Sequence, residues 1–159
     1  MIVVDDVRAL REAGKHGEHL AAAKQLVAVR PFDVLAQIEA AYGHDRNNLE
    51  REAIRHYDEA HRLGVPEPLR RRFLVGYGST LRNVGRLDDA VAVLAQAVAD
   101  DPNYPAFDAF LSLALLSAGH PKAALAAMLG VVLDVAKPGS FDGYERALGE
   151  YHKVLLEEP

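Results

Sequence analysis

Apolar residues in this chain recur three and four positions apart, in runs broken by glycine, asparagine or proline; that period predicts helices throughout and no strand. Two such runs face each other across Gly85 in the stretch from Arg71 to Pro102. The second carries Leu87, Ala90, Val91, Leu94, Ala97 and Val98 as one apolar stripe. Gly78 and Ala90 supply the small side chains that let antiparallel helices approach to about 8 to 10 Å. Gly85 suits the left-handed conformation that ends a helix. Asp88 and Asp89 sit in the first turn of the second helix, where the helix dipole favours carboxylates, and Pro102 stops that helix.

The same skeleton recurs. Advancing 34 residues takes Gly85 to Gly119, Ala90 to Ala124 and Leu81 to Leu115, which defines a unit over 105–138 with Pro121 in a tolerated first-turn position. Stepping back, and placing three extra residues in a Gly64–Arg70 loop, gives a unit over 34–67 with Ala41 in the small position. Asn48 there replaces the turn glycine, and asparagine is the commonest other residue that tolerates the left-handed conformation. Residues 1–33 read as a divergent copy, with His19 where a closely packed alanine belongs and Ala21 to Ala23 and Leu26 available for the buried stripe. From 140 to 157 a single helix carries Phe141, Tyr144, Leu148, Tyr151 and Leu155, the pattern of a cap closing the end of a stack.

These spacings resemble the tetratricopeptide repeat, a 34-residue helix-turn-helix unit. YGHDRNNLEREAIRHY, GSTLRNVGRLDDAVAVL and FLSLALLSAGHPKAAL are similar to the bacterial subfamily called tetratrico peptide repeat type 5. The resemblance covers roughly residues 34 to 155. It implies an all-α solenoid of antiparallel hairpins, a right-handed superhelix of nine helices forming one domain over 1–159 and ending in the capping helix. It also implies a concave face lined by the first helix of each unit, through the second, fifth, ninth, twelfth and thirteenth places. In the first copy these positions offer Arg8, Arg11 and Glu12, and in the second Leu35, Ile38, Tyr42, Asp45 and Arg46. The third offers Arg72, Val75, Ser79, Arg82 and Asn83, and the fourth Ala106, Ala109, Leu113, Leu116 and Ser117. The expected peptide-binding groove is therefore Tyr42, Asp45, Arg46, Ser79, Arg82, Asn83, Leu113 and Leu116, suited to a segment with an acidic group and aliphatic residues. The Lys and Asn that hold a terminal carboxylate in some family members are absent from these places, so a chaperone-tail clamp is not expected.

Composition narrows the function without naming a partner. With no cysteine, a disulfide framework, a zinc ribbon and a thiol nucleophile are excluded. Eighteen basic against 23 acidic residues leave a net charge of −5, which argues against nucleic acid as the main partner. Met1 to Val4, followed at once by Asp5 and Asp6, reads as neither a signal peptide nor a spanning helix, so a cytoplasmic protein with no membrane contact is expected.

Candidate chemistry is thin. His16 and His19 are three apart beside Glu18, but a zinc site needs three or four converging ligands, so no metal or cofactor is expected. His44 falls on the interior-facing place of Leu81 and Leu115, which favours a partly buried histidine bonded to a neighbour over a base paired with Asp45. No strand-turn-helix surrounds Ser79 and Thr80, so no nucleophile elbow is formed. Arg70, Arg71 and Arg72 are a basic run at a helix start, an unfavourable place for cations. The glycines of VGYGST fit packing better than a phosphate loop. The expected function is a non-catalytic scaffold that binds a protein or peptide. The alternative is a homodimer assembled through the apolar N-terminal hairpin, where Val3, Val4, Val7 and Leu10 stand without a preceding cap.

Overall fold

The computed structural model describes residues 1–157. Among them the chain is all-α, with nine helices and no strand. The helices are α1 (Val4–Glu12), α2 (His16–Val29), α3 (Val34–Arg46), α4 (Glu50–Leu63), α5 (Arg70–Asn83), α6 (Leu87–Asp100), α7 (Pro105–Ser117), α8 (Pro121–Val135) and α9 (Glu145–Glu157). This is the expected solenoid class, in which each helix is too short to be stable alone in water and depends on its neighbours. The helices gather into two compact units, Met1–Val84 and the stretch from Gly85 onward.

In the first unit α3 is the central element. It packs against α1, α2, α4 and α5, and every residue from Ala36 to His44 is buried. Asp33 caps it by accepting the Leu35 amide at 2.9 Å. Asn48 takes φ 58° in the turn to α4, the left-handed geometry its place requires. Around α3 lie two kinds of packing. Val4 and Val7 of α1, Ala23 and Leu26 of α2, and Ala36 form an aliphatic cluster. Tyr57, Phe73 and Tyr77 form an aromatic one, with ring centroids 5.4 to 5.8 Å apart, a separation at which ring pairs attract. Gly76 makes room for it, since a Cβ there would lie 2.6 Å from the Tyr57 hydroxyl. The aliphatic cluster uses Val4 and Val7, the residues that suggested an N-terminal dimer face, and Val3 and Leu10 are half-buried.

The second unit is built from smaller residues. α6 and α7 pack together, as do α7 and α8, around Ala90, Leu94, Ala97, Phe107, Ala114, Ala124 and Ala126. Ser112 is buried in the small position on α7 and donates to the Ala109 carbonyl at 2.8 Å. Pro105 and Pro121 open α7 and α8, where a missing amide hydrogen costs nothing. α9 packs against α8, yet none of its residues is buried. Tyr144 and Tyr151, the aromatic places of the expected cap, are 69% and 65% exposed.

Candidate functional site

The groove positions read from the sequence have different surroundings. Tyr42 is 9% exposed and lines a cavity of about 250 Å³ in the first unit, together with Arg8, Arg11, Glu12, Leu35, Ile38 and Arg72. These come from α1, α3 and α5 of the first unit. Glu39, Pro68 and Leu69 complete the lining. Asp45 does not face this cavity. It is half-buried and accepts the Tyr57 hydroxyl at 3.0 Å and a bond from Thr80, with burial holding its carboxyl above the usual range. Asp45 therefore secures α3 to α4 and α5. Arg46 and Asn83 are exposed, and Ser79 and Arg82 are half-buried. Leu113 and Leu116 are exposed on α7, three residues apart, and belong to the second unit.

The cavity in the first unit is basic and has an aromatic wall. The guanidinium carbons of Arg11 and Arg72 lie 5.3 and 5.6 Å from the centre of the Tyr42 ring, within range of cation–π attraction. Burial pushes the Tyr42 hydroxyl up to about 12, so it stays neutral and able to donate. Arg11 is held by Glu39 through two parallel bonds, from Nε at 3.0 Å and Nη2 at 3.1 Å. Arg8 lies 3.8 Å from Glu39 and 3.4 Å from Asp5. Among the described residues Arg72 has no carboxylate within ion-pairing distance, and its contact is the Tyr42 ring. The basic run at the start of α5 thus places one of its three arginines over an aromatic ring, while Arg70 reaches Glu67 at 3.9 Å.

Sequence reasoning missed Glu39. It is buried at 2% exposure and accepts from His19 Nε2 at 2.9 Å as well as from Arg11. Burial alone would raise its carboxyl, but the bonds from His19 and Arg11 outweigh that and hold it below the usual range. His19 is fully buried, and its Nδ1 has no hydrogen-bond partner. The unexpected histidine in the alanine place of the divergent copy is therefore one half of a buried pair. The available signal was the coincidence of two misfits, His19 among alanines and Glu39 inside the apolar run VLAQIEAAY.

The remaining candidates for chemistry are tied into the packing. His44 is buried; its Nδ1 donates to the Ala40 carbonyl at 2.8 Å and its ring stacks on His56 at 5.0 Å. His56 meets Gln37 at 2.8 Å, and burial, with His44 alongside, pushes it down to about 4. His61 packs on Tyr77, and Thr80 is buried. Among the described residues no three His, Cys, Asp or Glu side chains converge to hold a metal. No described helix is long and apolar enough to cross a membrane.

A larger cavity, about 840 Å³, lies in the second unit between α7, α8 and α9. Its walls are mainly leucine, alanine, valine and proline, with Asp108, Asp134, Lys122, His120 and His152 among them. It does not include Leu113 or Leu116.

Comparison with curated proteins found no match. Among solved structures the chain is similar to YrrB, described as a TPR protein with an unusual peptide-binding site, at 16% identity over 93% of this chain and 90% of that one, with a TM-score of 0.38. The family model for the tetratrico peptide repeat matches residues 34–155, which include Tyr42 and Arg72. With three quarters of its length matched, this chain belongs to the tetratrico peptide repeat family.

Proposed function

We propose that this chain is a non-catalytic scaffold that binds a peptide or protein segment along its first helices, anchored at the cavity beneath Arg8, Tyr42 and Arg72. Membership of a repeat family built for interaction supports the general reading. The observation that carries the specific one is the meeting of α1, α3 and α5 residues around a single cavity with a surplus of cations. Three arginines face two glutamates there, and Arg11 is already committed to Glu39. Arg8 is shared with Asp5 and Glu39, so the chemistry left over suits an acidic side chain on Arg72, with aliphatic neighbours on Leu35, Ile38 and Leu69. Arg46, Ser79, Arg82 and Asn83 extend the surface along the same helices, while Asp45 acts through packing.

Selection of a displayed random-peptide library on the full chain tests this. Enriched peptides should carry Asp or Glu beside aliphatic residues. Their affinity should fall at least about tenfold on an Arg72→Glu variant that keeps its helicity, the scale of one lost charge-assisted hydrogen bond. A library that yields no binder, or binders indifferent to Arg72→Glu, defeats the assignment.

A further inference from the structure

Glu39 stands in the run VLAQIEAAY, and a carboxylate buried among such residues is stable only beside donors. α1 and α2 bring them. Arg11 donates from Nε at 3.0 Å and Nη2 at 3.1 Å, and His19 donates from Nε2 at 2.9 Å. His19 Nδ1 is buried without an acceptor, which places the ring hydrogen on Nε2, so His19 supplies a bond and no charge. Burial would raise the Glu39 carboxyl, yet the bonds from His19 and Arg11 keep it below the usual range, so it is a carboxylate at neutral pH. The Arg11 and Glu39 side chains are only 9% and 3% exposed, and together they form a neutral pair shut away from water.

The other charges around this cavity divide between paired and open. Arg8 is shared between Asp5 at 3.4 Å and Glu39 at 3.8 Å. Glu12 lines the cavity and is exposed. Arg72 is exposed, and its contact is the Tyr42 ring at 5.6 Å. Arg11 lies equally near that ring, at 5.3 Å. Two guanidiniums thus flank one aromatic ring, and a buried carboxylate cancels the charge of one of them.

We propose that Glu39 is a specificity-determining residue of this site: by filling the fork of Arg11 it leaves Arg72 as the open cation, and so limits the bound segment to a single carboxylate among aliphatic residues. The inference rests on the peptide-binding reading above. A second acidic side chain entering the cavity gives up its water, finds Arg11 filled and Arg8 shared, and is repelled by Glu12. A segment with adjacent acids is therefore a poorer ligand than one with a single acid, the reverse of what three arginines alone would select.

The displayed library, selected in parallel on the wild type, on Glu39→Gln and on the double variant Arg11→Met/Glu39→Gln, tests this once circular dichroism has established the helicity of each. Peptides enriched on the wild type should carry one acid. The tightest of them, acetylated and amidated so that its ends are uncharged, is then compared with the same peptide bearing a second Glu beside the first. The second acid should weaken binding to the wild type. Glu39→Gln frees Arg11, so the affinity for the two-acid peptide relative to the one-acid peptide should rise at least about tenfold, the scale of one charge-assisted hydrogen bond. The double variant removes the buried ion pair as a whole, which folds tolerate better than loss of one partner, and keeps an acceptor for His19. It should bind the one-acid peptide within about threefold of the wild type and still disfavour the second acid. The double variant decides alone should Glu39→Gln lose its helicity. A loss of tenfold or more in the double variant means that Arg11 itself holds the ligand and overturns the proposal, as does an unchanged ratio in Glu39→Gln. Those results leave the peptide-binding reading standing where affinity still depends on Arg72; a library without binders, or with binders indifferent to Arg72→Glu, overturns both.

Discussion

α3 and α9 have the same length, 13 residues each, and opposite positions in the packing. α3 buries nine residues and touches four other helices, whereas α9 buries none and packs against one. The difference does not come from apolar content alone, since α3 buries a glutamine, a glutamate and a histidine. It comes from what the neighbours provide. Each buried polar group on α3 has a partner, Arg11 and His19 for Glu39, Pro31 and His56 for Gln37, and Ala40 for His44. α9 is covered on one side by α8 and leaves Tyr151, Val154 and Leu156 exposed. Burial in a repeat stack is thus decided by neighbours on both sides, and polar residues tolerate it where those neighbours are complementary.

The sharpest way to break this contrast is at Glu39. Replacing it with alanine leaves Arg11 and His19 buried without their acceptor, and removal of one partner from a buried pair costs about 3 to 5 kcal/mol. Urea denaturation should show that loss as a lower midpoint; a change below about 1 kcal/mol would mean water replaces the carboxylate.

A smaller effect follows from pH. His56 is held down to about 4 in the folded chain against an ordinary value near 6.5, so the unfolded chain takes up the proton first as pH falls. Stability from this group is complete above about pH 6.5 and is lost progressively towards pH 4. The full shift corresponds to about 3 kcal/mol, and the exposed edge of the ring reduces it to roughly 1 to 2. Glu39, held below its ordinary range, adds a loss in the same direction from about pH 4.5 downward. His56→Asn should flatten the first part of the profile and leave the second.

The smallest effect sharpens the other side of the comparison. Tyr151→Ala in dilute, monomeric protein should change the unfolding midpoint by less than about 0.5 kcal/mol, because the ring is 65% exposed. Amide exchange in α9 should likewise be far faster than in α3, as expected of an element with little buried surface.

Periodicity, turn residues and the 34-residue recurrence made the helices, the class and the family legible from one sequence, because each is a local or repeated property of the chain. The turn role of Asn48 and the packing role of Gly76 in VGYGST were readable for the same reason, since positive φ and close approach restrict residue type. Leu35, Ile38, Tyr42 and Arg72 were also within reach, as places on the first helices. Asp45 shares their spacing, and only the Tyr57 hydroxyl and Thr80 explain why it is tied inside. The meeting of Glu39 with His19 and Arg11 was not legible, because 20 and 28 residues of chain separate them and no local pattern pairs charges across hairpins. Nor could an apolar stripe on α9 reveal whether it is covered. A single sequence determines which side of a helix is apolar; what lies against that side is decided only when distant helices pack, and that placement left Tyr151 exposed.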